Sequence, residues 1–273
     1  MTSGFFKQLS QRATEIDSLL CVGLDPEPDT SLGPDMCNKD GLVAFCKRII
    51  DATYPLTLLY KPNSAFFERF GTDGISALSE VIEYIHAQPG RPLVLLDAKR
   101  GDIDKTANAY AFASFNTFGA DCVTVNAYMG LDTLQPFLAH KDKGIFVLCK
   151  TSNPGSNDLQ TLKLETGEMI YERVARLAVG DKAERAEQVG LVVGATDIEA
   201  MKRVRGQFPD VWILSPGVGA QGGDLEGALK LGVNPTTKQG LVIAVSRQIS
   251  KAQDPSAEAH KIVSSMRSYL GNL

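Results

Sequence analysis

Apolar residues recur along the chain in short runs rich in β-branched side chains. The runs occupy 19–25 (LLCVGLD), 57–63 (TLLYKPN), 92–99 (PLVLLDAK), 122–128 (CVTVNAY), 145–152 (IFVLCKTS), 190–196 (GLVVGAT), 212–218 (WILSPGV) and 241–247 (LVIAVSR). Near-continuous apolar runs of this length are what strands buried on both faces require. Between them, apolar positions return at helical spacing, as in Leu42, Phe45, Cys46 and Ile49, or Met169, Ile170, Val174 and Leu177. Upstream, Phe5, Leu9, Ala13 and Ile16, with Phe6 alongside, predict a first helix that Thr2 or Ser3 could cap. Strands alternating with helices over 273 residues predict an α/β fold, a single (β/α)8 TIM barrel with an N-terminal helix.

A doubly wound open sheet is the main competitor. The barrel is preferred because polar or charged residues end nearly every run: Asp25, Lys61, Asp97 and Lys99, Asn126, Ser152, Thr196, Ser215 and Arg247. A barrel brings those ends to one mouth, whereas an open sheet spreads them along an edge. No linker or shift in composition divides the chain, so 1–273 reads as one domain. Three connections are long and polar: 26–40, 154–167 and 232–240. The first two follow strand ends and should overhang the mouth, where such loops commonly serve as covers.

Composition narrows the partners. Net charge is -4, from 28 Lys+Arg against 32 Asp+Glu, so nothing global favours nucleic acid or an anionic membrane. The 5 cysteines are scattered without a C-x-x-C pair, which reads as reduced thiols in a cytoplasmic protein and argues against a structural zinc site. Lys7, Arg12, Glu15 and Asp17 interrupt the N-terminal segment, so it lacks a signal-peptide core, and no apolar run has membrane-spanning length.

The third run carries the chemistry. Asp97 and Lys99 interrupt an apolar strand that should contain no charge, and in extended chain positions i and i+2 face the same side roughly 6 to 7 Å apart. Asp102 follows just past Gly101, where a helix should start and where Asp is a favoured cap, completing D-x-K-x-x-D. Lys61 ends the neighbouring run, so Lys61, Asp97 and Lys99 can form one array. A structural ion-pair network accounts for any one pair, but a cluster of opposed charges at the mouth favours function, because buried ion pairs seldom repay their desolvation. A second constellation is SPGVGAQGGD (215–224), whose glycines allow backbone amides close to a ligand and whose 222–224 segment should open a helix. With Arg247 at the end of the eighth run, it matches the place where barrels hold a phosphate, so a monophosphate ligand is expected. The TSNPG segment (151–155) offers Ser152 to a heterocycle or sugar, although alone it is a turn signal, and Asp25 before Pro26 suits either a turn or a ribose hydroxyl. His86, His140 and His260 lie away from strand ends, so neither histidine catalysis nor a metal site is expected.

These segments resemble a known family. LLDAKRGDIDKTANAYA is similar to the D-x-K-x-x-D-I signature of orotidine 5'-phosphate decarboxylase, and VGLDP, YKPN, TSNPG, PGVGAQGGD and the terminal SR follow in the family's order from about 20 to 247. The form with D-A-K-R-G-D-I and T-S-N-P-G resembles the second, mainly prokaryotic branch. One departure is Ser246, where many relatives carry glycine before the arginine. The resemblance implies cofactor-free conversion of orotidine 5'-phosphate to UMP and CO2 in pyrimidine biosynthesis. It implies Lys99 as proton donor to C6, Asp97 beside the substrate carboxylate, and Lys61 orienting Asp97 and touching the ribose. Asp102, Ile103 and Thr106 would cross a homodimer interface into the neighbouring site. Asp25 would bind a ribose hydroxyl, Ser152 the pyrimidine edge, and Gln221, Gly222, Gly223 and Arg247 the phosphate. Two rivals remain: a Mg2+-dependent sugar-phosphate decarboxylase with a similar array, such as 3-keto-gulonate 6-phosphate decarboxylase, and a non-catalytic nucleotide-binding barrel.

Overall fold

A computed structural model describes residues 4–28, 37–218 and 224–272. Strands β1 (Leu20–Leu24), β2 (Leu59–Pro62), β3 (Leu93–Arg100), β4 (Cys122–Val125), β5 (Gly144–Lys150), β6 (Val189–Val193), β7 (Ile213–Pro216) and β8 (Leu241–Val245) each pair in parallel with the next. β8 returns to β1 through Leu20↔Ile243, Cys21↔Ala244 and Val22↔Val245, which closes the barrel and excludes the open sheet. The helices are α1 (Phe5–Ile16), α2 (Lys39–Thr53), α3 (Ser64–Glu68), α4 (Gly71–His86), α5 (Asp104–Phe112), α6 (Gln135–Leu138), α7 (Ile170–Val179), α8 (Ile198–Gln207), α9 (Leu225–Gly232), α10 (Arg247–Ser250) and α11 (Pro255–Gly271). β1, β2, β4, β6 and β8 are buried along their whole length, which is why these strands read as apolar runs.

The N-terminal helix packs on the barrel's N-terminal end. α1 buries Phe5, Phe6 and Leu9, each contributing about 1.5–3 kcal/mol on removal from water. Phe6 meets the ring of Phe146 edge-on at 5.3 Å. A Cβ at residue 144 would come within 2.4 Å of the Phe5 ring, so glycine is what lets α1 lie against the start of β5. Gly4, without a side-chain cap, precedes the helix; the expected caps Thr2 and Ser3 lie outside the described residues. Arg12 of α1 donates to the carbonyls of Tyr54, Thr57, Leu58 and Gly90, pinning the entries to β2 and β3. On the far side, Arg205 of α8 gathers the carbonyls of Phe208, Pro209, Val211, Gly232 and Gly240 around the entries to β7 and β8. Burial pushes the Arg205 guanidinium down to about 10, still charged at neutral pH. These two guanidinia satisfy carbonyl lone pairs gathered where several loops converge.

At the mouth, segment 154–167 is folded on itself, with a 3-10 turn at Pro154–Asp158 and a bridge between Lys163 and Met169. Most of 26–40 lies outside the described residues. All five cysteines are free; Cys21, Cys46, Cys122 and Cys149 are buried. Burial pushes the Cys21 and Cys149 thiols up to about 12, so neither is a nucleophile at neutral pH. Among the described residues no helix is long and apolar enough to cross a membrane.

Candidate active site

The C-terminal strand ends enclose a cavity of about 630 Å³, the size of a small-ligand site. Lys61, Asp97, Lys99 and Thr124 occupy one side, Asp25, Ser246 and Arg247 another, with Leu148, Val192 and Leu214 as apolar lining. Thr151, Ser152, Asn153 and the start of the glycine segment, Gly217 and Val218, complete the rim.

The charge array is one hydrogen-bonded unit. Lys61 Nζ donates to Asp97 Oδ2 at 2.9 Å and Lys99 Nζ to Asp97 Oδ1 at 2.7 Å. Thr124 Oγ1 donates to Asp97 Oδ1 at 2.9 Å while accepting from the Lys99 backbone N–H at the same distance. Sequence reasoning missed Thr124; its only trace is a hydroxyl inside the otherwise apolar stretch CVTV. The strand geometry is also less regular than extended chain. The β3–β4 register shifts between Leu96 and Arg100, and Lys99 sits at φ 48°, a left-handed conformation that costs a non-glycine residue about 1–2 kcal/mol. The bulge aims the Lys99 ammonium back over Asp97, and its side chain remains 49% exposed while that of Lys61 is 10% exposed.

Electrostatics follow from that packing. Burial opposes ionisation of Asp97, but the ammonium groups of Lys61 and Lys99 outweigh it and hold the carboxyl well below the usual range. Burial likewise works against the Lys61 ammonium, and the facing carboxylates of Asp97 and Asp25 reverse the balance and raise it. The array is therefore a fixed plus, minus, plus arrangement at neutral pH, with its half-exposed ammonium at the cavity.

Asp25 follows the end of β1, next to the strand that carries Lys61. Its Oδ2 accepts from Ser246 Oγ at 2.6 Å, while its Oδ1 is buried and has no hydrogen-bond partner among the described residues. Arg247 is exposed at the cavity edge, and its guanidinium makes no ion pair among the described residues. Gln221, Gly222 and Gly223 lie outside the described residues. The expected helix start at 222–224 is α9, which begins at Leu225 behind Asp224. Asp224 accepts from the backbone N–H groups of Glu226 and Gly227, so a carboxylate of the chain already serves that terminus.

Asp102, Ile103 and Thr106 do not line this cavity. Asp102 is not the cap of α5 either. Ile103 holds the cap position, and among the described residues Asp102 Oδ1 accepts from the adjacent Ile103 N–H alone. A Cβ at Gly101 would stand 2.8 Å from the Asn126 carbonyl oxygen, so glycine is what lets the chain pass here, and the helix begins at Asp104. His86 pairs with Asp121 at the opposite end of the barrel, and no histidine lines the cavity.

Lys150, at the end of β5, is a second residue that the sequence did not single out. Its side chain is 3% exposed and pairs with Asp197 Oδ2 at 3.2 Å and Ser156 Oγ at 2.7 Å. In a regular strand it would share the inward face of Leu148, but the β5–β6 register shifts between these two residues and Lys150 leaves the cavity lining. It ties the 3-10 turn after Ser152 to the N-terminal cap of α8.

Comparison with known proteins agrees with this geometry. A relative from Roseiflexus castenholzii, an orotidine 5'-phosphate decarboxylase, is 49% identical over 247 residues, 90% of this chain and 88% of its own. Another of the same name from Halorubrum lacusprofundi is 50% identical over 230 residues, 84% of this chain and 80% of its own. The solved Leishmania donovani OMP decarboxylase superposes with a TM-score of 0.86 at 44% identity, covering 98% of this chain and 99% of that one. Leishmania donovani UMP synthase gives a TM-score of 0.89 at 46% identity, and there the match covers 98% of this chain but only 57% of the longer protein. The sequence model matched at 18–262 is that of the orotidine 5'-phosphate decarboxylase / HUMPS family. With a closed barrel, a lysine–aspartate–lysine array at its mouth and relatives near half identity across most of its length, the chain belongs to that family.

Proposed function

We propose that this chain is an orotidine 5'-phosphate decarboxylase, a carboxy-lyase forming UMP and CO2 in pyrimidine biosynthesis without a cofactor. The observation that carries the reading is Asp97, ionised and clamped between two ammonium groups at a nucleotide-sized cavity. Loss of CO2 leaves an electron pair at C6 of the pyrimidine, and the ring offers no good sink there. A fixed cation must meet that charge, and Lys99 is placed to stabilise it and then to deliver the proton. Asp97 faces the departing carboxylate, so the reactant is repelled where the product is not. Lys61 and Thr124 hold Asp97 against recoil. Because folding has already oriented these charges, little reorganisation is needed as the bond breaks.

Binding is divided among the remaining wall residues. Asp25 Oδ1 accepts a ribose hydroxyl, Ser152 meets the pyrimidine edge, and Arg247 grips the phosphate with Gln221, Gly222 and Gly223. Phosphate binding lies remote from the reacting bond, so its energy can be used to fix the nucleotide against the array. Asp102, Ile103 and Thr106 serve the site of a second copy in a homodimer. In favour of this, they do not line their own cavity, and Ile103, Phe112, Tyr128 and Met129 expose large apolar surfaces after the neighbouring strands β3 and β4. The buried free thiols suit a cytoplasmic setting.

The test is spectrophotometric. Purified protein in EDTA-treated buffer should remove the absorbance of orotidine 5'-phosphate, and Lys99→Ala should abolish this while UMP binding stays measurable. No absorbance change with wild-type protein refutes the reading. Activity abolished by EDTA and restored by Mg2+ favours the sugar-phosphate rival.

A further inference from the structure

Ser246 occupies the N-cap position of α10, where serine normally accepts a backbone N–H of the first turn. It makes no such bond. Its hydroxyl instead donates to Asp25 Oδ2 at 2.6 Å, across the seam between β8 and β1. The contact is enforced by backbone packing: a Cβ at Gly23 would stand 2.6 Å from Ser246 Cβ, so the two strands meet here with only a hydrogen between them. The carboxylate is thereby engaged on one oxygen. The other, Oδ1, is buried without a partner among the described residues, and an unpaired buried acceptor is costly unless a ligand completes it.

From this arrangement we infer that Ser246 is a positioning residue, one that locks the Asp25 carboxylate so that Oδ1 accepts a hydroxyl of the bound nucleotide's sugar. The inference rests on the nucleotide reading above. Ser246 also directly precedes Arg247 in the chain, so the residue that fixes the sugar acceptor and the phosphate cation are neighbours at the end of β8. A nucleotide whose phosphate sits on Arg247 thus finds its sugar hydroxyl opposite an acceptor whose orientation is already set. A pyrimidine nucleotide lacking that hydroxyl leaves Oδ1 unpaired, and the site discriminates against it.

The experiment measures affinities of wild type and Ser246→Ala for UMP, 2'-deoxy-UMP and 3'-deoxy-UMP by calorimetry, with turnover of orotidine 5'-phosphate in parallel. The variant removes one oxygen and keeps the Cβ that abuts Gly23. Losing a hydrogen bond to a charged group should weaken UMP about tenfold. That penalty should vanish for whichever deoxy nucleotide lacks the hydroxyl that Asp25 accepts, and Ser246→Cys, a weaker donor of similar shape, should fall between. In an Asp25→Ala background, adding Ser246→Ala should cost nothing further. An equal penalty on all three nucleotides, or none on any, overturns the assignment while the decarboxylase reading stands. Wild-type protein that neither turns over orotidine 5'-phosphate nor binds UMP removes that reading itself.

Discussion

Asp97→Asn separates the proposed repulsive role of this carboxylate from a merely structural one. The substitution preserves the size of the side chain and its ability to accept from Thr124, but deletes the negative charge between Lys61 and Lys99. If Asp97 faces the substrate carboxylate, the two anions at about 4 Å repel by roughly 4 kcal/mol at an effective dielectric of 20. Converted at 1.4 kcal/mol per decade, that is an upper bound of about 10^3 on the affinity ratio between carboxylate-bearing substrate and carboxylate-free product. The half-exposed Lys99 side chain shows that solvent reaches this end of the array, so screening should reduce the ratio to between about tenfold and several hundredfold. The assay is titration of the Asn variant with orotidine 5'-phosphate and with UMP, alongside its turnover number. Substrate should tighten relative to product while turnover falls. An unchanged ratio of the two affinities would refute the repulsion argument whatever happened to the rate.

Two further outcomes follow from buried charge elsewhere. Lys150→Met should destabilise the fold by about 1–3 kcal/mol, because it leaves the buried Ser156 hydroxyl and the partly exposed Asp197 without this partner at the base of the loop carrying Ser152; an unchanged urea midpoint would show the pair to be dispensable. Asp121 is held below the usual carboxylate range because His86 and Arg91 outweigh the burial that opposes its charge. Its contribution to stability is therefore complete above the unfolded value near ~3.9 and is lost as pH falls through the lower folded value. Asp121→Asn should flatten the decline in urea midpoint between about pH 5 and pH 2, and a decline as steep as in wild type would assign the acid sensitivity to other groups.

The barrel is legible because strands covered on both faces admit few polar residues, so the exceptions at Lys61, Asp97 and Lys99 stand out against their neighbours. What escaped depends on contacts between distant segments. Thr124 and Ser246 are ordinary small polar residues until β3 and β1 are laid beside them. Arg12 and Arg205 look like solvated helix charges, yet both are buried because loop carbonyls from elsewhere in the chain converge on them. Lys150 was hidden by a register shift, which reverses the facing that strict alternation predicts. Asp102 is expected as a helix cap, but the helix starts two residues later and Ile103 takes the cap position, an offset that a favoured cap residue in the sequence does not reveal.

The seam between β1 and β8 also constrains the order of biosynthesis. Asp25 emerges from the ribosome early and its partner Ser246 late, so the two cannot meet until the end of β8 has been translated. A nascent chain stopped before that point lacks the strand that joins β7 to β1, so the last strand to be made is the one that seals the barrel.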